Sequence, residues 1–561
     1  KGLSAKFMAS FDTRTIYSLT AGKDYQRWIQ IIDPNTPNEE GMDSVQYTRL
    51  FLDRDNTPLS IGSGSNFQSF FNFQLSVDYN RVFKQKHAFT GLLLAQQETR
   101  VLPNDRLPYN LMGISVRAAY AYDSKYLLEF NAGYNGSEQF AKGRRYGFFP
   151  TISGGWVVSN EDFLKSSDII SLLKIRASYG KVGSDRLGSR RFLYLDDIQR
   201  IGGGGFSSSL GRGGYIAENY IGNPYIQWEI AKKANIGIEL GFLQNDLNLT
   251  IDLFKERRDN ILISRQTIPM VYGIEPGRMA PVNMGIVENK GYEIELNYRK
   301  AISRNWSVLS KLNFNFAGNK VLFSDELQYA DDYAYRYRQT GFRLGQVFGY
   351  KLRDGYYSSY DEIAAEGLNY VGYTVRPGDF KYVDTNGDKV IDERDMVPIG
   401  YSAIPEYTLG AAFSITYKNF DVSLLFQGNF NVSQPLSGYG TMSTSDFRQR
   451  HLYAWTAERA AKGEKILYPR LTTGGSSSEN DFNEFFIENR GFVRLKNAEI
   501  GYRLPAKWIR KIGSNEVRFY ANGFNLITWD KMRTKDFDPE INNSLSYPVY
   551  RVFNTGVNIT F

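Results

Sequence analysis

Apolar and polar residues alternate one by one along much of this chain. Residues 247–253 show the pattern best, with Leu247, Leu249, Ile251 and Leu253 at the odd positions and Asn248, Thr250 and Asp252 between them. Because successive side chains of a strand point to opposite faces, this period of two predicts strands with one apolar and one polar face. The alternation recurs at residues 128–134, 292–298, 422–427 and 555–561.

The length of the alternating segments separates two classes of all-β protein. A soluble β-sandwich also alternates, but its strands are usually about five or six residues long. Segments 66–82, 284–300 and 404–419 are much longer, and a tilted strand needs about 9–11 residues to cross a bilayer. Tyrosine and phenylalanine cluster near the segment ends, as in interfacial belts. We therefore predict an all-β fold, a transmembrane antiparallel β-barrel, with roughly 15 to 17 strands in this chain.

Short and long connections between these strands are predicted to alternate. Tight turns are indicated at residues 244–246 and 418–420, where Asn and Asp suit turn geometry. We predict one domain, a partial outer-membrane barrel over residues 1–561, with long outer loops at about 24–64, 183–224, 256–281, 320–344, 356–403 and 434–488. Leu247, Leu249, Ile251 and Leu253 should face lipid, and Asn248, Thr250 and Asp252 the lumen.

Composition excludes several kinds of chemistry. The chain has no cysteine and only two histidines, His87 and His451, which removes thiolate sites and makes a multi-histidine metal centre improbable. Neither histidine lies beside a nucleophile motif, so a hydrolase is disfavoured and no enzyme is predicted. The net charge of +7 is spread along the chain without a basic tract, which argues against nucleic acid as a partner. No stretch approaches the roughly 20 apolar residues of a membrane helix.

One segment carries the spacing of a calcium loop. Oxygen-bearing residues occupy loop positions 1, 3, 5, 9 and 12, and a backbone carbonyl is available at position 7. These residues are Asp384, Asn386, Asp388, Val390, Asp392 and Asp395. Lys389 replaces the usual glycine at position 6, and Asp395 is shorter than the usual glutamate. The alternative is a loop closed by Asx turns, in which the carboxylates accept backbone N–H groups.

Several motifs together resemble the SusC/RagA branch of TonB-dependent transporters. They are Phe149-Pro150-Thr151-Ile152-Ser153-Gly154-Gly155-Trp156, Asn160-Glu161-Asp162-Phe163-Leu164, Leu173-Lys174-Ile175-Arg176-Ala177-Ser178-Tyr179-Gly180, Gln227-Trp228-Glu229, Asn283-Met284-Gly285-Ile286-Val287-Glu288-Asn289-Lys290-Gly291-Tyr292-Glu293, Pro377-Gly378-Asp379 with Asp384-Thr385-Asn386-Gly387-Asp388, and Val493-Arg494-Leu495-Lys496-Asn497. Each motif is weak alone. Their order and spacing over nearly the whole chain carry the resemblance.

The resemblance implies a protein of the outer membrane of Bacteroidetes. Such a protein is expected to form a 22-stranded barrel in contact with membrane lipids, with an N-terminal plug, a SusD-like surface lipoprotein and coupling to the TonB complex. Its substrates would be oligosaccharides or oligopeptides, and the alternative role is a scaffold barrel of a surface complex without transport. No segment here resembles a plug or a TonB-box. We therefore expect a partial barrel whose first and last strands, near residues 3–14 and 550–561, do not pair.

Overall fold

A computed structural model describes residues 2–23, 28–37, 43–49, 59–103, 107–188, 190–201, 215–327, 338–435, 449–471, 478, 482–509, 513–535, 537–541 and 549–561. Sixteen of its strands form one antiparallel sheet in which each strand pairs with the next of the set. They are β1 (Leu3–Gly22), β4 (Ser60–Phe83), β5 (His87–Val101), β6 (Tyr109–Tyr122), β7 (Tyr126–Ser137), β8 (Tyr146–Val157), β9 (Ile170–Ser184), β12 (Glu229–Phe242), β13 (Leu247–Ile263), β14 (Val282–Ser303), β15 (Trp306–Phe323), β22 (Tyr407–Tyr417), β23 (Phe420–Phe430), β26 (Phe492–Arg503), β27 (Glu516–Asp530) and β28 (Val552–Thr560).

The connections contain short elements. Their strands are β2 (Trp28–Pro37), β3 (Asp43–Arg49), β10 (Asp197–Ile201), β11 (Tyr215–Tyr220), β16 (Val347–Gly349), β17 (Leu352–Tyr356), β18 (Asn369–Tyr370), β19 (Phe380–Tyr382), β20 (Val390–Ile391), β21 (Val397–Ile399), β24 (Ser433–Pro435) and β25 (Ile487–Asn489). The helices are α1 (Tyr360–Glu366), α2 (Ala457–Ala461) and α3 (Ala506–Ile509), with 3-10 turns at Val158–Asn160, Met270–Tyr272, Pro276–Arg278, Glu393–Asp395, Gln449–Tyr453 and Glu484–Phe486. Of the helices in these ranges, none has the length and apolarity required to cross a membrane.

The two faces of the sheet differ as the alternation predicts. One face carries a row of apolar residues that lie directly opposite one another on six neighbouring strands, namely Ile175, Ile238, Ile251, Ile294, Phe314 and Leu409. One residue away, the opposite face carries Lys174, Glu239, Thr250, Glu295 and Asn313 in the same register. Leu253 is 55% exposed whereas Asp252 is buried. The predicted assignment of residues 247–253 to two faces is therefore confirmed.

Aromatic rings line the apolar face at the end where the short turns lie. His87, Tyr122, Tyr126 and Trp156 are directly opposite one another on β5 to β8. A second row of Trp306, Tyr417, Phe420 and Tyr502 crosses β15, β22, β23 and β26. The Trp306 and Tyr417 ring centres are 4.5 Å apart. Such rows match the aromatic girdle that a barrel places at the membrane–water interface.

All the turns of two to four residues lie at one end of the sheet, and the longest connections lie at the other. The turn between β12 and β13 holds Leu243, Gln244 and Asn245 at φ 53°, 60° and 66°, and Lys418 has φ 53° between β22 and β23. Both turns predicted at residues 244–246 and 418–420 are confirmed. The strand β13, in contrast, continues to Ile263, inside the range 256–281 predicted as a loop. Residues 255–260 of β13 are all polar, so the alternation that marks a strand disappears there.

The sheet has two open edges in the part of the chain that the structure describes. The strand β1 pairs with β4 through Leu3 to Gly22, and β28 pairs with β27 through Val552 to Thr560. Across the described ranges, no backbone pairing joins β1 to β28. The pairing of the described strands agrees with the expectation that the first and last strands do not pair, and the partial barrel stays a prediction.

The apolar row generates a test of which face meets lipid. We expect Ile251→Arg to lower the free energy of unfolding from a phospholipid bilayer by about 2–4 kcal/mol, because it buries a guanidinium in hydrocarbon. The neighbouring Thr250→Arg is the matched control and should cost far less, since its side chain points to the polar face. Urea titrations of both variants in vesicles measure the difference. Equal losses for the two variants would contradict the assignment of faces.

Candidate functional site

The polar face of the sheet holds an ionic network across β9, β12 and β13. The Arg176 guanidinium donates to Glu239 Oε1 at 3.0 Å and to Asp252 Oδ2 at 2.6 Å, and Lys174 Nζ lies 3.1 Å from Glu239. A Cβ atom at Gly237 would lie only 2.7 Å from the Arg176 Cζ atom. Glycine is thus required on the middle strand, because it lets the arginine lie flat across it and reach both carboxylates.

A second network of the same design lies on β23, β26 and β27. Arg518 donates to Asp421 Oδ1 at 3.1 Å and to Glu499 Oε1 at 2.6 Å, and Arg503 Nη1 lies 3.0 Å from Asp421. Here Gly501 provides the space, since a Cβ at that position would lie 2.3 Å from Arg518 Nη2. Charged pairs of this kind keep the inner wall polar while leaving few unpaired charges on it.

Arg494 on β26 is fully buried and anchors a connection at the end opposite the short turns. Its guanidinium donates to Thr528 Oγ1 at 2.9 Å, to Asp538 Oδ1 at 2.7 Å, and to Glu540. Lys496 Nζ also approaches Glu540, at 3.3 Å. The segment that follows β27 is therefore folded back against the polar face rather than extended away from the sheet.

Two long connections pack together into a cap, which consists of residues 338–406, 449–471 and 482–490. Its apolar centre contains Tyr350, Tyr357, Tyr370, Phe380, Tyr382, Ile391 and Met396, with Phe485 of the second connection packed against it. The ring centres of Phe380 and Phe485 are 4.9 Å apart, and Tyr350 exchanges backbone hydrogen bonds with Phe482 and Glu484. The predicted loops 356–403 and 434–488 thus form one packed body where the structure describes them.

A buried ion pair joins the two halves of the cap. Asp379 is fully buried, and its Oδ1 lies 2.8 Å from Arg470 Nε and 3.2 Å from the Ser478 hydroxyl. The Arg376 amide donates to the other carboxylate oxygen at 2.9 Å. This carboxylate is therefore fully surrounded by donors, which is the condition under which a buried charge is tolerated.

Burial and hydrogen bonding shift two ionisable groups of the cap. An ion pair with Lys381, together with the Ser358 amide and hydroxyl, lowers the pKa of Glu362 to about 2. Burial raises the pKa of Tyr370, whose hydroxyl lies 3.1 Å from that of Tyr357. Glu362 is therefore charged and Tyr370 neutral throughout the physiological pH range, and both act as fixed elements of the cap.

The oxygens of the predicted calcium loop accept backbone hydrogen bonds. Asp384 accepts from the Gly387 and Lys389 amides at 2.7 and 2.9 Å, and Asp388 accepts from the Val390 amide at 2.8 Å. Asn386 accepts from the Asp388 amide, and Asp392 accepts from the Arg394 amide. Lys389 has φ 66°, the left-handed conformation that favours glycine at this position.

The carboxylate of the last residue of this loop accepts hydrogen bonds from other groups of the loop. Asp395 is fully buried, with Oδ1 accepting from the Thr385 amide and hydroxyl and Oδ2 from the Asp392 amide. Arg394 places its guanidinium 3.7 Å from Asp388. The geometry is that of Asx turns, and calcium binding by this loop stays a prediction. Within the described ranges, no group of three or more acidic, histidine or cysteine side chains is arranged to hold a metal ion.

Comparisons with known proteins agree on one family. A sequence model described as TonB dependent receptor-like, beta-barrel, matches residues 2–526. The TonB-dependent receptor P3 of Formosa agariphila is 28% identical over 491 residues, which cover 80% of this chain and 45% of the relative. The TonB-dependent receptor SusC of Bacteroides thetaiotaomicron is 25% identical over 464 residues, covering 79% of this chain and 43% of the relative.

A solved structure shares the fold. The structure of the RagAB peptide transporter superimposes with a TM-score of 0.74 at 18% identity, covering all of this chain and 60% of its own. The chain spans about half the length of the curated relatives it matches. The predicted fold class, an antiparallel transmembrane β-barrel, is confirmed by this likeness and by the family match. The matched family contains receptors and transporters and is not a family of enzymes.

Arg494 generates a test of what holds the connection after β27. We expect Arg494→Met to destabilise this region by up to about 3–5 kcal/mol, because it removes a fully buried guanidinium that pairs with the half-buried carboxylates of Asp538 and Glu540. Hydrogen exchange of peptides covering residues 531–541 should increase. The double variant Arg494→Met/Asp538→Asn should recover much of the protection, since Glu540 keeps Lys496 as its partner and no uncompensated charge remains. Unchanged exchange in the single variant would show that other contacts hold the segment.

The loop at residues 384–395 generates a second test. If it binds calcium, millimolar calcium should raise the unfolding temperature, because a ligand that binds only the folded state stabilises it. Asp384→Asn/Asp388→Asn should abolish that rise, whereas Asp361→Asn, in α1 of the same cap, should retain it. Differential scanning calorimetry in calcium and in chelator measures both. No rise in the unaltered protein would leave the Asx turns as the sole function of these side chains.

Proposed function

Because this chain belongs to the TonB-dependent receptor family of outer-membrane β-barrels, we propose that it is the barrel part of an importer that takes up an oligosaccharide or an oligopeptide. Import is coupled to the TonB complex and assisted by a SusD-like surface lipoprotein. The observation that carries this proposal is the polar inner face. Its charges are paired across strands, and its outer end lies beneath a packed cap.

The lengths of the connections between strands support one orientation of the proposed barrel in the outer membrane. Barrels of the bacterial outer membrane have short periplasmic turns and long external connections. The turns at residues 84–86, 123–125, 243–246 and 418–419 would then face the periplasm. The cap would lie outside the cell, where it can meet substrate and lipoprotein. RagAB, a protein of the same fold, is named as a peptide transporter, which supports an oligopeptide as one of the two substrate classes.

Growth and uptake test the proposed import. A strain that lacks the gene should lose growth on one class of nutrient, supplied either as a peptide pool or as defined oligosaccharides. Uptake of the labelled nutrient should return with the full-length gene, and should be absent without TonB. Loss of a surface complex with unchanged uptake of every nutrient would instead support the scaffold role.

Single cysteines locate the path of the substrate, since the chain has no cysteine of its own. Asn313→Cys places a thiol on the polar face, and the neighbouring Phe314→Cys places one on the apolar face as the matched control. Substrate should slow the reaction of a water-soluble maleimide with the first thiol and leave the second unaffected. Equal rates with and without substrate at Asn313→Cys would contradict passage along this face.

A further inference from the structure

A compact group of basic side chains lies on the apolar face, at the end where the long connections lie. Lys181, Lys232, Arg257, Glu288 and Lys320 form one row of directly opposed residues on β9, β12, β13, β14 and β15. Lys255 and Lys290 are opposite each other in the next row. Lys255 lies two residues beyond Leu253, so these side chains share the face that carries the lipid-facing leucines. The six cations are called the outward basic patch below.

The outward basic patch is a local feature and not a general rim. The outward positions of β7 are Tyr126, Leu128, Phe130, Ala132 and Tyr134, and those of β22 are Tyr407, Leu409, Ala411, Phe413, Ile415 and Tyr417. The outward positions of β6, β8 and β23 likewise carry no lysine, arginine, aspartate or glutamate. Six cations on five adjacent strands therefore contrast with the uncharged outward positions of β6, β7, β8, β22 and β23.

Carboxylates neutralise only part of this charge. Asp259 pairs with Lys232 and Arg257, each at 2.8 Å, and Glu288 pairs with Lys255 at 2.9 Å. No described residue forms an ion pair with Lys181, Lys290 or Lys320, all of which are exposed. The patch thus keeps a clear excess of positive charge. Lysine and arginine that are clustered in this way bind phosphate groups through charge-assisted hydrogen bonds.

A groove at the patch combines this charge with apolar surface. It has a volume of about 480 Å³ and is lined by Lys181, Lys232, Arg257, Asp259 and Asn260, with Ile230, Met284 and Ile286 beside them. Cations next to aliphatic side chains suit an amphiphile, whose charged headgroup and acyl chains meet at this depth of a membrane. Clusters of lysine and arginine near a membrane surface attract anionic lipid headgroups.

We propose that the outward basic patch binds the phosphate groups of an outer-leaflet glycolipid, the phosphorylated lipid A headgroup of lipopolysaccharide. The proposal rests on the orientation given under the proposed function, with the long connections outside the cell. Lys181, Lys232 and Arg257 meet the phosphate, while Lys255, Lys290 and Lys320 extend the positive surface to the side. Ile230, Met284 and Ile286 contact the first carbons of the acyl chains.

Binding of lipid A to the purified full-length protein tests the proposal. The delipidated protein in detergent is titrated with diphosphorylated lipid A, and bound lipid is counted by native mass spectrometry. Lys232→Gln/Arg257→Gln should weaken binding by roughly tenfold or more. The matched control Lys233→Gln/Arg258→Gln removes the same charges from the next residues, which point to the polar face, and should bind as the unaltered protein does. Equal binding by both variants would overturn the proposal.

Additional variants and ligands in the same assay identify the source of the phosphate and control for misfolding. Lys181→Gln/Lys290→Gln removes two lysines with no ion pair among the described residues, and should also weaken binding. Dephosphorylated lipid A and inorganic phosphate should bind far less well than lipid A. Equal binding of inorganic phosphate or of phosphatidylglycerol would overturn an outer-leaflet glycolipid. If the variants of the outward basic patch changed the oligomeric state but bound lipid A as before, the lipid A proposal would also be overturned, and the patch would instead be a contact with another protein. The assay contains no substrate, so its result is independent of import.

Discussion

A strand that crosses lipid must satisfy every backbone N–H and C=O within the sheet, because an unpaired group there costs several kcal/mol. This requirement explains the simple order of the sixteen strands, in which each pairs with the next of the set, with local register shifts such as that between Leu425 and Phe426. Once the ladder fixes the register, every side chain is assigned to a face. The apolar row through Ile251 and the polar row through Thr250 are two consequences of one hydrogen-bond pattern.

A second constraint acts on the polar face, because partly buried charges cost free energy unless they are paired. Arg176 and Arg518 each solve this by lying flat across a neighbouring strand, and in both cases a glycine, Gly237 or Gly501, makes the space. Cross-strand pairs of this kind stiffen the wall without adding bulk to it. Charges are paired in the same way at Arg494 and between Asp379 and Arg470, where the pairs join connections rather than strands.

Sequence alone was informative wherever the structure follows from local period and local turn chemistry. Alternation predicts the faces of residues 247–253, and Asn and Asp predict the turns at 244–246 and 418–420. Prediction from sequence fails in two physically distinct situations. Residues 255–260 of β13 lie beyond the apolar band and are polar on both faces, so the alternation vanishes there. The cap and the Arg494 cluster depend on residues far apart in the chain, such as Phe380 with Phe485, and no local pattern encodes those contacts.

The separation of the two halves of the cap along the chain has a kinetic consequence. Hairpins such as β12–β13 and β22–β23 pair across turns of a few residues, so each of these pairings closes a short stretch and can form early. The cap joins Leu352 to Glu484, which are 132 positions apart, and bringing such distant segments together carries a large loop-closure entropy. That entropy is reduced once β22, β23 and β26 are paired, because the two connections then start from neighbouring strand ends. The cap is thus a late product of folding, assembled on a finished wall.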